Sequence, residues 1–182
     1  AFRTIQTNDG KEWVAAFTSP AEHEKGEPSE IISNFIDVML KEVLKGEKIT
    51  FSFPSVGATE NAILAAVTAK GNTTIVNAAR EPEIIDLCNF LNKCGADIQG
   101  AGESIVTIKG VSNLCGTEHT VICDRIVAST YLVAGAVTRG DVELVNTEPA
   151  HLNSVLPLLE ESGCDIRVRC KSVRLKAPRR LK

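Results

Sequence analysis

Gly71-Asn72-Thr73-Thr74-Ile75-Val76-Asn77, GNTTIVN, is the stretch on which the fold turns, because it occurs twice. Sixty-nine positions later the chain reads Gly140-Asp141-Val142-Glu143-Leu144-Val145-Asn146, GDVELVN, with the glycine and the asparagine in register. Both are short β-branched and apolar runs between turn residues, the pattern of a strand. Working outward, NAILAAVTAKG (61–71) meets TYLVAGAVTRG (130–140), and after one deleted residue GADI from Gly95 meets GCDI from Gly163. Each copy reads as helix, strand, helix, strand, strand, with a further strand expected before the first helix at Ile49 to Phe53 and at Thr120 to Cys123. The fold class that follows is α/β, two βαβαββ units with helices packed on mixed sheets. A period this long exceeds the usual solenoid repeat and indicates a duplicated subdomain.

The second helix of each copy carries its own punctuation. Pro82 suits the first helical position, Glu81 and Glu83 favour the positive end of the dipole, and Gly95 stops the helix. Pro149 and Gly163 take those roles in the second copy. Apolar residues at 84, 87, 88 and 91 form one face, as do those at 152, 155, 156 and 159. Pro157 falls inside the latter helix, where a kink is expected.

Residues 1 to 48 fit neither copy. Two alternating runs around Asn8-Asp9-Gly10 predict a hairpin. The polar stretch SPAEHEKGEPSE predicts a loop. Phe35, Ile36, Met39, Leu40, Val43 and Leu44 then fall at helical spacing, with Ser33 as cap and Gly46 as stop. This is a ββα element, and the expected organisation is 1–48, 49–117 and 118–182.

Composition sets the outer limits. The 182 residues carry 43% apolar and 24% charged residues with a net charge of −3, ordinary for a globular protein and no case for a nucleic-acid surface. The basic tail from Lys176 to Lys182 reads as a solvated end. No apolar run reaches the roughly 20 residues of a membrane span, and no signal-peptide pattern is visible, so a cytoplasmic setting is expected. The six cysteines include no C-x-x-C pair, so neither a metal site nor a disulfide framework is expected. Cys88 shares a helical stripe with Ile84, Leu87 and Leu91, the place of a buried structural thiol. No cofactor is called for.

Pro54-Ser55-Val56-Gly57-Ala58-Thr59-Glu60-Asn61 lies at the entrance to an alanine-rich helix. Free N–H groups at such an entrance, together with the dipole, can hold a phosphate. The same residues serve equally as a tight turn that lets a helix pack on a sheet. Asp124-Arg125 has the form of a helix cap with a surface ion pair, and Arg80-Glu81-Pro82-Glu83 that of a helix start. His119, alternating with apolar residues, is expected in a strand. His151 is expected in the first turn of a helix, and His23 in a polar loop.

From about Phe53 to Ile166 the blocks PSVGATEN, NAAREPEIIDLCNFLNKCGADIQGAG, HTVICDRI and LVAGAVTRGDV resemble the UDP-N-acetylglucosamine 1-carboxyvinyltransferase family of enolpyruvyl transferases. The resemblance implies an inside-out α/β barrel built from βαβαββ units, with the active site between two domains. It implies UDP-N-acetylglucosamine and phosphoenolpyruvate as ligands, in peptidoglycan synthesis. Ser55, Val56 and Gly57 would hold the diphosphate. Asp124 and Arg125, with Arg80, Glu81 and Glu83, would line the cleft, the first two on the catalytic side. Several family features are absent from this sequence: the Pro-Gly-Gly-Cys loop with its proton-donating cysteine, the lysine–asparagine pair, and the arginines that grip phosphoenolpyruvate. The expectation is therefore a family-derived but catalytically incomplete protein. The alternatives are a non-catalytic binder of UDP-sugar or phosphate, or a structural fusion, with self-association covering exposed sheet edges. Residues 1–48 resemble the enhanced-serine-sensitivity (SseB-like) family through DGKEWVAAFTSPAEHEKGE and FIDVMLKEVLKGEKI, which implies a chimera joined near Glu47 to Phe53.

Overall fold

The computed structural model describes residues 46–181, together with the backbone of two strands, β1 (Phe2–Gln6) and β2 (Glu12–Ala16). These two pair antiparallel from Phe2↔Ala16 to Gln6↔Glu12, as expected of the hairpin. The loop and the helix expected after it, with Ser33 as cap, lie outside the described residues. By compactness the chain divides into two units, Ala1–His119 and Thr120–Lys182.

In the first unit, β3 (Lys48–Thr50) leads to α1 (Val56–Ala66), β4 (Asn72–Val76), α2 (Pro82–Lys93), β5 (Asp97–Gln99) and β6 (Ile105–Lys109). The sheet order is β3-β4-β6-β5, with β3 parallel to β4 and the other pairs antiparallel. Strand burial alternates, so Ile75, Val106 and Ile108 turn to one face and meet Ala62, Ile63 and Ala66 of α1 and Ile84, Cys88 and Leu91 of α2. Each fully buried isoleucine of this core contributes about 1.5–3 kcal/mol. The end of α2 is fixed to β5 by Asn92, whose side chain accepts from Ile98 N–H at 2.9 Å and donates to Ile98 C=O at 2.9 Å. The strand expected at Ile49 to Phe53 is shorter. One more ladder bond forms, Phe51 N–H to Val76 C=O, and the chain then turns away with Phe53 67% exposed.

The second unit repeats the pattern with α3 (Arg125–Val137), β7 (Asp141–Val145), a 3-10 turn (Pro149–Leu152), α4 (Leu156–Glu161), β8 (Asp165–Arg169) and β9 (Ser172–Lys176). Its sheet order, β7-β9-β8, reproduces β4-β6-β5. The duplication extends to backbone conformation. Asn77 and Asn146 both take left-handed φ, at 61° and 56°, as do Gly95 and Gly163 at 99° and 97°. Gly135 allows α3 to lie close on the sheet, because a Cβ there would stand 2.7 Å from Val142 Cγ2.

Two expectations fail in this unit. The segment Thr120–Cys123 is not a strand. It gains no ladder bonds from β7, and Cys123 Sγ instead accepts the N–H of Glu148 at 3.0 Å. Pro157 does not kink a continuous helix. The helix is in two pieces, and Pro157 sits in the first turn of α4, where its missing N–H has no helical partner to lose. The apolar positions still serve, with Leu152, Leu156 and Leu159 buried and Val155 packed against them.

Candidate functional site

Parallel pairing of β3 with β4 sends both strands toward the same end of the first sheet. Each is followed by a helix, so the starts of α1 and α2 emerge together there, beyond the carboxyl ends of parallel strands where α/β folds place ligands. Ser55, Val56 and Gly57 are carried by the first of these starts, and Arg80, Glu81 and Glu83 by the second.

A hydrogen-bonded frame holds the two starts in place. Asn77 Nδ2 donates to Phe51 C=O at 3.1 Å, and Ala79 N–H donates to Thr59 Oγ1 at 3.0 Å. Thr59 Oγ1 in turn donates to Ser55 C=O at 2.8 Å. Thr59 was not singled out from the sequence. Its signal was there, a hydroxyl on the buried stripe formed by Ala58, Ala62, Ile63 and Ala66, and the side chain is completely buried.

Ser55 is the N-cap of α1, extended at φ −127°, and its hydroxyl accepts from Ala58 N–H over a long 3.4 Å. No acidic residue occupies the first turn. Among the described residues no group accepts from the N–H of Val56 or Gly57, so none of them closes the positive end of this helix. A Cβ on Gly57 would meet nothing within 4 Å, and Asn61 Nδ2 holds the Gly57 carbonyl at 2.7 Å. Glu81 is the N-cap of α2 with Pro82 following, and its carboxylate accepts from Arg80 N–H at 2.8 Å. The Arg80 side chain is exposed.

Asp124 and Arg125 belong to the second unit. By the 69-residue register Asp124 corresponds to Ser55 and Arg125 to Val56. The correspondence is structural as well, since Asp124 is the N-cap of α3. Its Oδ1 accepts from Ile126 N–H at 2.8 Å and Val127 N–H at 3.0 Å. The same end of the helix that α1 leaves open is here closed by the chain's own carboxylate. The turn before the second helix is also tied differently, with Cys123 Sγ taking the Glu148 N–H that corresponds to Ala79 N–H in the first unit.

His119 is not in a strand. Its Nε2 lies 2.9 Å from Asp86 Oδ1, its ring is tilted against Phe90 at a centroid distance of 5.5 Å, and Lys93 Nζ is 3.4 Å from Nδ1. This is a clip on α2, with both the His119 and Asp86 side chains at most 15% exposed. His151 lies in the 3-10 turn, half-buried, and its Nδ1 has no hydrogen-bond partner among the described residues. A cavity of about 130 Å³ on the second unit is lined by Asp141, Asp165, Arg167, Arg174 and Lys176. Its guanidiniums are already paired, Arg174 with both oxygens of Asp141 at 2.8 Å and Arg167 with Asp165 at 3.2 Å. Among the described residues no cluster of three metal-ligating side chains occurs, and no helix is long and apolar enough to cross a membrane. Burial pushes the Cys88 thiol up to about 11 and raises that of Cys164.

Known proteins similar to this chain in sequence and those similar in fold agree with one another. UDP-N-acetylglucosamine 1-carboxyvinyltransferase of Mycobacterium bovis is 54% identical over 125 residues, 69% of this chain and 30% of that protein. UDP-N-acetylglucosamine 1-carboxyvinyltransferase 1 of Symbiobacterium thermophilum is 50% identical over 148 residues, 81% of this chain and 34% of its own. The chain thus spans about a third of the length of these relatives. Among solved structures, the enolpyruvyl transferase NikO from Streptomyces tendae superposes with a TM-score of 0.63 at 23% identity, over 73% of this chain and 35% of that one. EPSP synthase from Acinetobacter baumannii gives 0.52 at 24% identity, over 76% and 33%. At such identities the two structures establish the shared fold. The family model described as EPSP synthase (3-phosphoshikimate 1-carboxyvinyltransferase) matches residues 23–182, most of the chain and including part of the segment before the first repeat, and the chain belongs to that family.

Proposed function

We propose that this chain supplies the sugar-nucleotide side of a UDP-N-acetylglucosamine 1-carboxyvinyltransferase. In this reading the diphosphate of UDP-N-acetylglucosamine sits at the start of α1. The N–H groups of Val56 and Gly57 and the Ser55 hydroxyl donate to it, and the dipole opposes its negative charge. The observation that carries the reading is the open first turn, with no carboxylate of its own and with free space over Gly57. The names of relatives at 50–54% identity supply the ligand class. Arg80, Glu81 and Glu83 form the rim on the neighbouring helix start. Asp124 and Arg125 of the second unit are proposed, on the resemblance, as the pair that serves phosphoenolpyruvate.

Enolpyruvyl transfer needs a general acid for the vinyl carbon, a base for the sugar hydroxyl and cations for phosphoenolpyruvate. No Pro-Gly-Gly-Cys segment occurs in the 182 residues. The chain alone therefore binds the sugar nucleotide without completing the transfer. Calorimetry with UDP-N-acetylglucosamine tests the first statement: saturable heat is expected, and none up to millimolar ligand removes the binding reading. Phosphate release from phosphoenolpyruvate tests the second. Release above the level of a Ser55→Ala, Asp124→Ala double variant would show that the chain is a complete catalyst.

A further inference from the structure

We infer that Cys94 and Cys115 form a reversible intramolecular disulfide site that locks residues 110–119 onto the first unit. This segment carries the chain out of the last strand of that unit and, beyond the bond of Gly110 N–H to Gly71 C=O at 2.9 Å, is held at three points among the described residues. Val111 N–H donates to Val67 C=O at 2.9 Å, Cys115 N–H donates to Cys94 C=O at 2.8 Å, and His119 Nε2 meets Asp86 at 2.9 Å. Between its ends Ser112 to Glu118 are exposed, so a single backbone bond fixes the middle.

That bond joins the two cysteines. An antiparallel pair that exchanges two such bonds has Cα atoms about 5.5 Å apart. The single 2.8 Å bond from Cys115 N–H to Cys94 C=O brings these two backbones into the same neighbourhood, and a disulfide spans roughly 4.4–6.8 Å between Cα atoms. Both thiols are free. Cys94 is only 6% exposed, yet it is not among the side chains of the first core, while Cys115 is exposed. A glycine follows each cysteine, and a Cβ on Gly95 or Gly116 would meet nothing within 4 Å, so neither following residue is crowded.

The oxidant is a small-molecule disulfide. The Cys115 thiolate attacks it, the reagent S–S bond breaks and one thiolate leaves. The Cys94 thiolate then attacks the Cys115 sulfur, the protein S–S bond forms and the second thiolate leaves. Two protein thiols are oxidised by two electrons, the reagent is reduced to two thiols, and the two protons pass to those thiols.

The test is incubation of the folded chain with oxidised glutathione, followed by thiol titration, non-reducing peptide mapping and amide exchange. Two of the six thiols should disappear, a peptide joining Cys94 to Cys115 should appear, and dithiothreitol should reverse both. Exchange of amides 112–118 should slow by about tenfold or more in the linked form. Cys115→Ser, an exposed change that leaves the fold intact, should retain all its remaining thiols. A stable glutathione adduct on Cys115 with Cys94 free would overturn the proposal. So would a link to another cysteine, or a Cys94–Cys115 link that leaves amide exchange unchanged.

Discussion

At position 57 a single methyl group separates what the fold needs from what a ligand would need. Gly57 lies in the first turn of α1 without positive φ, and a Cβ there touches nothing. Alanine is the better helix former by about 0.5–1 kcal/mol. Gly57→Ala should therefore leave the melting temperature unchanged or raised, while the added methyl would stand in the proposed diphosphate site. Calorimetry should show UDP-N-acetylglucosamine affinity falling by about tenfold or more. Unchanged affinity would move the diphosphate away from this turn. Asp124 was legible as a helix cap and Ser55 as part of a helix entrance, since both precede apolar helical runs. Which of the two leaves its helix end open was not legible, because that rests on bond geometry: a long contact from one hydroxyl against two short ones to one carboxylate oxygen.

At the scale of elements, the repeated strand and the amphipathic α2 were readable because their burial follows period two and period 3.6. Pro157 and Thr120–Cys123 were misread for a shared reason. A local pattern states that an element is permitted, and only neighbouring chain decides whether it continues. The outer sheet face of the second unit is a charged ladder, with Asp141 opposite Lys176 and Arg174 hydrogen-bonded to Asp141. That hydrogen bond, helped by the charges of Arg174, Lys176 and Arg167, holds the Asp141 carboxyl below its ordinary value. The folded value then lies below the unfolded one, so the stabilisation is present above the unfolded carboxylate range of about 4 and is lost as pH falls through the folded value. Melting followed from about pH 5 to pH 2 should show a shallower acid loss in Asp141→Asn than in the parent. The difference should be small, since the pair is exposed and screened.

At the scale of the whole molecule, the described residues form two cores, each drawn from its own unit. The first is led by Ile49, Ile63, Ile75, Ile84 and Ile108, and the second by Leu132, Leu152, Val173 and Leu175. Leu132→Ala removes a fully buried side chain and should cost about 2–5 kcal/mol in the second unit. Hydrogen exchange should show protection falling in β7, β8 and β9 while β4 and β6 keep theirs. Equal loss in both sheets would mean that the units unfold as one. Asp124 also gives the duplication a history. A carboxylate bonded to the start of α3 is an anion on a tether, present at an effective concentration that dissolved phosphate does not reach. Twin copies of one helix entrance have thereby parted ways, one sealed by a residue of its own and the other without a carboxylate in its first turn.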